Sequence, residues 1–190
     1  MANVWNENVI RRFRSVETNS NLEKRYYGPY NKLLTSIFPP DSDFTVAPVT
    51  HPIEGNLSTD LSVEYMVTID QNDMNMPVLF VEIKDPTTIG KLYNRRQAHK
   101  QMLERFQQMG YDCLLDTFYG ISAFGTLISI YSLNRENGEI TPQYEEENPR
   151  RLNNNIPEDS WNIDILENDG AIRLNNVFNH IIEMCNHFEN

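Results

Sequence analysis

The chain has 190 residues, of which 39% are hydrophobic and 23% charged, a balance typical of one globular domain spanning residues 1–190 that needs no disulfide or metal to complete its core. No run of residues approaches the ~20 apolar positions of a membrane span, and no apolar signal segment opens the chain, so we expect no membrane contact and an intracellular location, cytoplasmic or nuclear. The net charge of −11 argues against a nucleic-acid partner, because phosphate contacts need lysine and arginine.

The charges are unevenly distributed along the chain. Residues 1–105 contain 12 of the 16 basic and 13 of the 27 acidic residues, a net charge of −1, whereas residues 106–190 have a net charge of −10. This asymmetry is typical of a chain with a polyanion partner. A solvated helix face explains it equally well.

The first helical region extends from ENVIRRFRS to NSNLEKRYYGPYNKLLTSIF. Apolar residues from Leu33 to Phe38 recur at the spacing of one helix face. Proline is tolerated in the first turn of a helix and disruptive inside it. The GP pair therefore predicts a break or kink, with a second helix starting near Pro29.

Two strands and a hairpin are predicted next. Residues 44–50 (FTVAPVT) favour a strand, and residues 59–69 alternate between apolar and polar side chains, as a half-buried strand does. The polar loop DQNDMNM then leads into the strand PVLFVEIK, so the second and third strands are expected to pair as a hairpin with a long loop.

The second half of the chain adds one helix and further strands. Residues 91–109 predict a helix closed by Gly110, followed by strands in YDCLLDTFYG and SAFGTLISIYSL. The return segment EITPQY contains Pro142, which restricts it to a sheet edge. A short strand, an Asp-Gly turn and an amphipathic helix close the chain. The order of elements predicts one mixed sheet with helices on its faces.

The stretch VLFVEIKDP carries the strongest chemical signal. Strand parity puts Glu82 and Lys84 on one face and the apolar residues of the strand on the other. Asp60 begins the polar face of the preceding strand, so the hairpin is expected to bring Asp60 beside Glu82. Two converging carboxylates favour a divalent cation such as Mg²⁺ or Mn²⁺, which activates water for attack at phosphorus, while Lys84 stabilises the developing charge.

These residues carry a resemblance to a known superfamily. Asp60, then Glu82-Ile83-Lys84 on the next strand, then Gln101 on a helix, resemble the PD-(D/E)XK nucleases. The patterns YYGPYNKLL, VEIKDP, QMLERF, GISAFGT and WNIDILENDG resemble an uncharacterised fungal group within that superfamily. The resemblance implies a restriction endonuclease-like fold, with a central mixed β-sheet flanked by helices, an α-β-β-β-α-β core, an appended β-hairpin and a C-terminal helix.

The resemblance also implies roles for individual residues. Asp60, Glu82 and the backbone carbonyl of Ile83 would bind the metal, and Lys84 would act in catalysis. Support would come from an acid of the first helix and a glutamine of the second, matching Glu23 and Gln101. Thr59 stands where the motif's name has proline, a position that varies in the superfamily.

Several other residues have two readings each. Arg95, Arg96, Lys100 and Arg105 surround Gln101 and are expected either to grip nucleic-acid phosphates or to form a solvated helix face. Glu23 also fits a helix-capping acid. Further candidates also have competing interpretations: Glu64 as a supporting acid or a surface strand residue, Asp70 and Asp73 as alternative carboxylates or turn residues, Tyr26, Tyr27 and Tyr30 as base-stacking or core residues, and Cys113 and Cys185 as buried thiols rather than metal ligands.

Two functions follow from the sequence. The first is a Mg²⁺-dependent nuclease, with DNA favoured over RNA as its substrate and a two-fold homodimer as the default assembly where both strands of a duplex are cut. The second is a catalytically inactive module of the same fold that binds a basic protein partner through its acidic C-terminal half.

Overall fold

A computed structural model describes residues 3–17, 23–52, 61–71, 74–145 and 154–188. Within these ranges the protein is a mixed α/β structure with four α-helices and one seven-stranded sheet. The helices are α1 (Glu7–Arg14), α2 (Lys24–Ile37), α3 (Leu92–Met109) and α4 (Asn168–Phe188). The strands are β1 (Phe44–Pro52), β2 (Leu61–Gln71), β3 (Met74–Lys84), β4 (Thr117–Phe124), β5 (Leu127–Asn134), β6 (Ile140–Thr141) and β7 (Ile163–Asp164).

The sheet has the order β1-β2-β3-β4-β5-β6. The seventh strand, β7, lies on the same edge of β5 as β6 does, and the two short strands pair with different halves of that edge. The pair β3 and β4 is parallel, with α3 in the connection between them, and the remaining pairs are antiparallel. The mixed sheet and the β2–β3 hairpin predicted from sequence are therefore confirmed. The predicted edge position of the Pro142 segment is also confirmed, because β6 pairs with β5 alone among the described strands.

Helices cover both faces of this sheet. On one face, called the α3 face, Phe80 of β3 packs edge-on against Phe106 with ring centroids 5.0 Å apart. On the other, called the three-helix face, the Tyr65 hydroxyl donates to the backbone oxygen of Tyr27 in α2, and Tyr119 of β4 contacts His180 in α4. Among the described residues, no helix has the length and apolar character needed to cross a bilayer.

The predicted break at the GP pair is wrong, because α2 runs without interruption from Lys24 to Ile37. Proline at the sixth residue of α2 lies beyond the first four N–H groups, which lack helical partners in any case, so it removes one intrahelical hydrogen bond. Pro29 itself is buried, as are Tyr30 and Leu33 of the same helix. Packing of this face against the sheet offsets the missing bond.

The predicted boundary between the fourth and fifth strands is also wrong. Gly120 lies within β4, and the chain turns at Gly125, which has a φ of +68°. An added Cβ at Gly120 would meet the Phe80 ring at 2.5 Å, so glycine is needed there for close packing and not for a turn. The left-handed φ at Gly125 is the one that requires glycine for its conformation.

The Asp-Gly turn predicted before the last helix is likewise absent from the described residues, since α4 begins at Asn168 and includes both positions. An added Cβ at Gly170 would lie 2.0 Å from the backbone oxygen of Asp164. The glycine therefore allows the first turn of α4 to pack directly on β7. A turn signal and a close-packing signal look the same in the sequence.

Candidate active site

A row of buried polar residues crosses the α3 face of the sheet. Glu64 of β2 is in register with Glu82 of β3, Glu82 with Ser122 of β4, and Ser122 with Ser129 of β5. These are four of the five buried polar residues found in the described part of the chain. Burying polar groups is costly unless each is paired. A continuous row of them through a sheet centre therefore makes this face the candidate site.

Glu82 is held by the lysine two residues later on the same strand. Lys84 Nζ donates to Glu82 Oε1 at 2.6 Å, and the two side chains are 16% and 1% exposed. Strand parity aims both towards α3, as the sequence predicts. The pair is thus an almost fully desolvated ion pair at the end of β3.

Glu64 is held by α3. Arg105 Nε donates to Glu64 Oε2 at 2.6 Å, and the two side chains are 11% and 2% exposed. The same guanidinium also donates through Nη1 to Oε1 of Gln108, an exposed residue one turn further along the helix. Arg105 therefore bridges the buried row and the solvent-facing side of α3.

The two ion pairs stand side by side. Residues directly opposite each other on antiparallel strands have Cβ atoms about 5 Å apart, and like charges at such positions repel. Glu64 and Glu82 occupy such positions. Lys84 and Arg105 supply the opposing charges that make this arrangement stable. Together the four side chains form what we call the carboxylate quartet.

Two acceptor atoms beside the quartet remain open. Within the described part of the chain, neither Glu82 Oε2 nor Gln101 Oε1 has a hydrogen-bond partner, although both atoms are buried. Gln101 lies one helical turn before Arg105 and therefore on the same side of α3. A buried carboxylate oxygen and a buried amide oxygen without donors are ligands suited to a hard cation such as Mg²⁺.

Oxygen ligands are thus present, but the described residues do not form a complete metal centre by themselves. No group of three His, Cys, Asp or Glu side chains among them is placed to hold a metal ion. The quartet provides two carboxylates, and Gln101 provides a neutral oxygen. A third carboxylate would have to come from elsewhere, which is the role predicted for Asp60.

Asp60 itself lies outside the described residues, so its predicted role stays a prediction. The register of the hairpin nevertheless shows that the residue opposite Glu82 is Glu64. Ile83 is buried on the three-helix face and pairs with Ala123 of β4. The predicted use of its carbonyl as a metal ligand is likewise untested.

Glu23 is found at the start of α2, where no hydrogen bond from its side chain caps the helix. Its Oε1 accepts instead from the hydroxyl of Tyr27, at 2.7 Å. Because α2 covers the three-helix face, the hydrogen bond between Tyr27 and Glu23 lies on the side of the sheet opposite the quartet. The structure does not join Glu23 to Glu82.

The four basic residues predicted to grip nucleic acid have different environments. Arg95 is buried and donates to the backbone oxygens of Ile156 and Ile89, so it anchors the segment before the last strand. Arg96 donates to Asn155 of the same segment. Lys100 is 71% exposed and pairs with Glu104. Arg105 belongs to the quartet, which leaves Lys100 as the most solvent-accessible of the four.

The central position of Glu64 was not predicted from the sequence, where it was interpreted as a supporting acid or a surface strand residue. Its strand alternates as expected, but α3 covers the polar side of that alternation as well. The predicted long loop was wrong, since β2 extends to Gln71 and β3 begins at Met74. A short turn alone would not have revealed the pairing either, because counting back from Gln71 and Met74 places Glu64 opposite Val81, and only the shift of register between Val67 and Thr68 brings it opposite Glu82.

The other predicted candidates, two aspartates and two tyrosines, do not join the quartet among the described residues. Asp70 pairs with Asn75 at the hairpin end, away from Glu82, and Asp73 lies outside the described residues. Tyr26 and Tyr30 are buried, so they are core residues. Burial raises the pKa of both hydroxyls, that of Tyr30 well above its ordinary value.

A second buried cluster joins α3 to the sheet at His99. His99 Nδ1 lies 3.1 Å from the Tyr131 hydroxyl, and its ring packs edge-on against Tyr144 with centroids 4.8 Å apart. Desolvation lowers the pKa of His99, and desolvation, with a smaller contribution from Tyr144, raises the pKa of the Tyr131 hydroxyl. The neutral imidazole is therefore the form that the fold favours.

No protein-family model, curated protein or solved structure matches this chain. The assignment of function consequently depends on the geometry of the quartet and its surroundings.

Proposed function

We propose that this chain is a divalent-cation-dependent nuclease that hydrolyses phosphodiester bonds of nucleic acid, DNA in preference to RNA, on a restriction endonuclease-like fold. The observation that carries the proposal is the buried Glu82 carboxylate. One of its oxygens is held by Lys84 two residues later, the other has no partner among the described residues, and a second buried carboxylate lies directly opposite. A structural ion pair does not require this second carboxylate or the open acceptor.

The cation would be held by oxygen ligands around Glu82. Glu82 Oε2 and Gln101 Oε1 are the open acceptors, Glu64 is the neighbouring carboxylate, and Asp60 and the Ile83 carbonyl are the ligands implied by the resemblance. When bound, Mg²⁺ or Mn²⁺ supplies Lewis-acid activation of water and neutralises charge on the phosphate. The remaining steps belong to the side chains of the protein.

Lys84 has two functions in this proposal. Its ammonium fixes the orientation of the Glu82 carboxylate through the 2.6 Å contact. It also donates towards the attacking water and the phosphate oxygen on which negative charge develops, where a donor fixed in advance in a water-poor site is most effective. Burial of the quartet beneath α3 provides that water-poor environment.

The experiment is a cleavage assay with plasmid, single-stranded DNA and RNA in Mg²⁺ or Mn²⁺. We expect cleavage of at least one substrate, and loss of at least about a hundredfold in rate for Glu82→Gln and for Lys84→Ala. Glu104→Gln is the matched control, since it removes an α3 carboxylate that pairs with exposed Lys100. Equal rates for Glu82→Gln and the parent protein would overturn the proposal.

A second candidate function is a non-catalytic module that binds a basic protein partner. One observation favours it, an open groove of about 490 Å³ between α4 and residues 114–116. Asp116 and Glu183 line this groove together with the partly exposed apolar side chains of Leu114 and Phe188. Acidic groups around an apolar surface suit a peptide that presents lysines beside leucines.

This second function has its own test. A synthetic helical peptide with alternating lysine and leucine faces should bind the protein, and the double variant Asp116→Asn/Glu183→Gln should bind it at least about tenfold more weakly. Glu82→Gln should leave peptide binding unchanged. Unchanged binding by the groove variant would remove the support for this alternative.

A further inference from the structure

The carboxylate quartet is electrically neutral as it stands. Its two carboxylates and two cationic groups occupy positions that are between 1% and 16% exposed. A divalent cation added to these four groups would place a net charge of +2 in this poorly solvated space, or +1 with the Asp60 carboxylate that the resemblance implies. Such an uncompensated charge is strongly unfavourable away from water. Metal binding therefore requires either that a cationic side chain leaves or that an anion arrives.

Arg105 is the cationic group that is able to leave. Lys84 arises from the same strand as Glu82, two residues away, and has little room to move apart from it. Arg105 instead reaches the row from the covering helix, and its Nη1 already contacts the exposed Gln108. A rotation of the long side chain takes the guanidinium from Glu64 towards solvent without moving the backbone of α3.

We propose that Arg105 is an internal counter-ion that occupies the cation site of the free protein and is exchanged for the metal when a phosphate-bearing strand arrives. This inference rests on the proposed nuclease function and concerns the regulation of the same site. On release from Glu64 the guanidinium donates to a phosphate oxygen of the strand, a contact for which its planar donor set is well suited. Arg105 is a positioning residue in this scheme.

The exchange couples metal and nucleic acid. A strand that takes up Arg105 removes the competitor for Glu64, so it tightens metal binding, and the metal must then tighten strand binding by the same factor. Free protein in the presence of Mg²⁺ alone remains mostly in its neutral, closed form. The reactive arrangement is therefore assembled only on the substrate.

The first measurement is the affinity for Mn²⁺ alone, by calorimetry, with no nucleic acid present. Arg105→Gln removes the competing charge, and we expect it to bind Mn²⁺ at least about tenfold more tightly than the parent protein, since a unit charge within a few ångströms has at least this effect. Arg105→Lys keeps the charge and should resemble the parent. Lys100→Gln removes an exposed charge from the same helix and should change the affinity less than about twofold.

The second measurement uses the unmodified protein. The Nε–H of Arg105 donates to buried Glu64, so it should give a proton resonance protected from exchange, assigned by its loss in Arg105→Lys. Addition of Mg²⁺ together with a phosphorothioate DNA oligonucleotide should shift this resonance, and Mg²⁺ alone should shift it much less. This readout remains valid even if Arg105→Gln does not fold.

The outcomes separate this inference from the function on which it rests. If neither the parent nor Arg105→Gln binds Mn²⁺ in a manner abolished by Glu82→Gln, the cation site and the proposed function both fail. If both bind equally tightly through Glu82, or if the Arg105 resonance is unmoved while Mg²⁺ and oligonucleotide bind, the cation site stands and the counter-ion role of Arg105 is refuted.

Discussion

The two faces of the sheet are built from different chemistry. On the three-helix face, α1, α2 and α4 bury aromatic and aliphatic side chains against β2, β3 and β4, with Phe178 packed between Trp5 and Phe38. On the α3 face, one helix covers aromatic residues at one end and the row of buried polar residues further along. The first face contributes hydrophobic free energy, and the second carries charges that apolar side chains would replace without loss of stability. The contrast is the reason why the proposed site is placed on the α3 face.

The largest effect is expected on the three-helix face. Phe178→Ala should lower the free energy of unfolding by about 3–5 kcal/mol, because it deletes a fully buried ring between two aromatic neighbours. Urea denaturation measures this change. Phe188→Ala on the same helix is the matched control, since that ring is 36% exposed, and it should lower stability much less than Phe178→Ala does.

The next effect concerns the ion pair of the α3 face. Arg105→Leu should destabilise by about 3 kcal/mol, because it breaks the buried pair with Glu64. The double variant Glu64→Leu/Arg105→Leu should recover most or all of that loss, since two apolar side chains no longer require solvation. A double variant less stable than Arg105→Leu would show that the charges of this face contribute to stability, and the contrast between the faces would then be wrong.

A smaller effect tests packing on the α3 face away from the charges. Gly120→Ala should destabilise by about 1–3 kcal/mol, because the new Cβ meets Phe80 and Met102 closer than contact distance and the surrounding side chains must shift. Gly90→Ala is the control, since its nearest neighbour is a flexible Glu158 oxygen at 4.0 Å. Thermal unfolding of the two variants separates overpacking from the general effect of replacing glycine.

The smallest effect is a pH dependence from His99. Its pKa is lowered in the fold, so the unfolded chain takes up a proton first. The stabilising contribution is therefore complete above the ordinary histidine value of 6.5 and is lost as the pH falls through that value to the lower folded pKa. Denaturation at a series of pH values should show this loss in the parent protein and a weaker one in His99→Gln. Identical pH profiles would contradict it.

The sequence was a good guide wherever one pattern had one structural meaning. The alternation in β2 and the apolar run of VLFVEIKDP predicted two central strands of the sheet, and strand parity put Glu82 and Lys84 on one face. Glycine and proline were less informative. Gly170 serves close packing and Pro29 sits inside a helix, so both were misread as breaks because composition does not reveal tertiary contacts.

The candidate site was predicted in part for a similar reason. Glu82 and Lys84 could be placed on one face because a strand has a fixed period, whereas Gln101 was singled out by the resemblance. Glu64 and Arg105 could not be paired in advance, since their contact depends on the hairpin register and on which side of the sheet α3 covers. The basic residues of α3 were interpreted as one group. In the structure Arg95 is a buried anchor, Arg96 binds the segment before the last strand, Lys100 forms a solvated ion pair and Arg105 belongs to the quartet.

The spacing of contacts along the chain gives the quartet a further property. Glu64 and Arg105 are 41 residues apart, whereas the hydrogen bond from the Trp5 indole to the Ile165 backbone oxygen that docks α1 joins residues 160 apart. Closing the longer loop costs about 1 kcal/mol more chain entropy than closing the shorter one. Assembly of β2, β3 and α3 therefore does not wait for the distant segments of the chain to meet, and the charged centre is able to form early in folding.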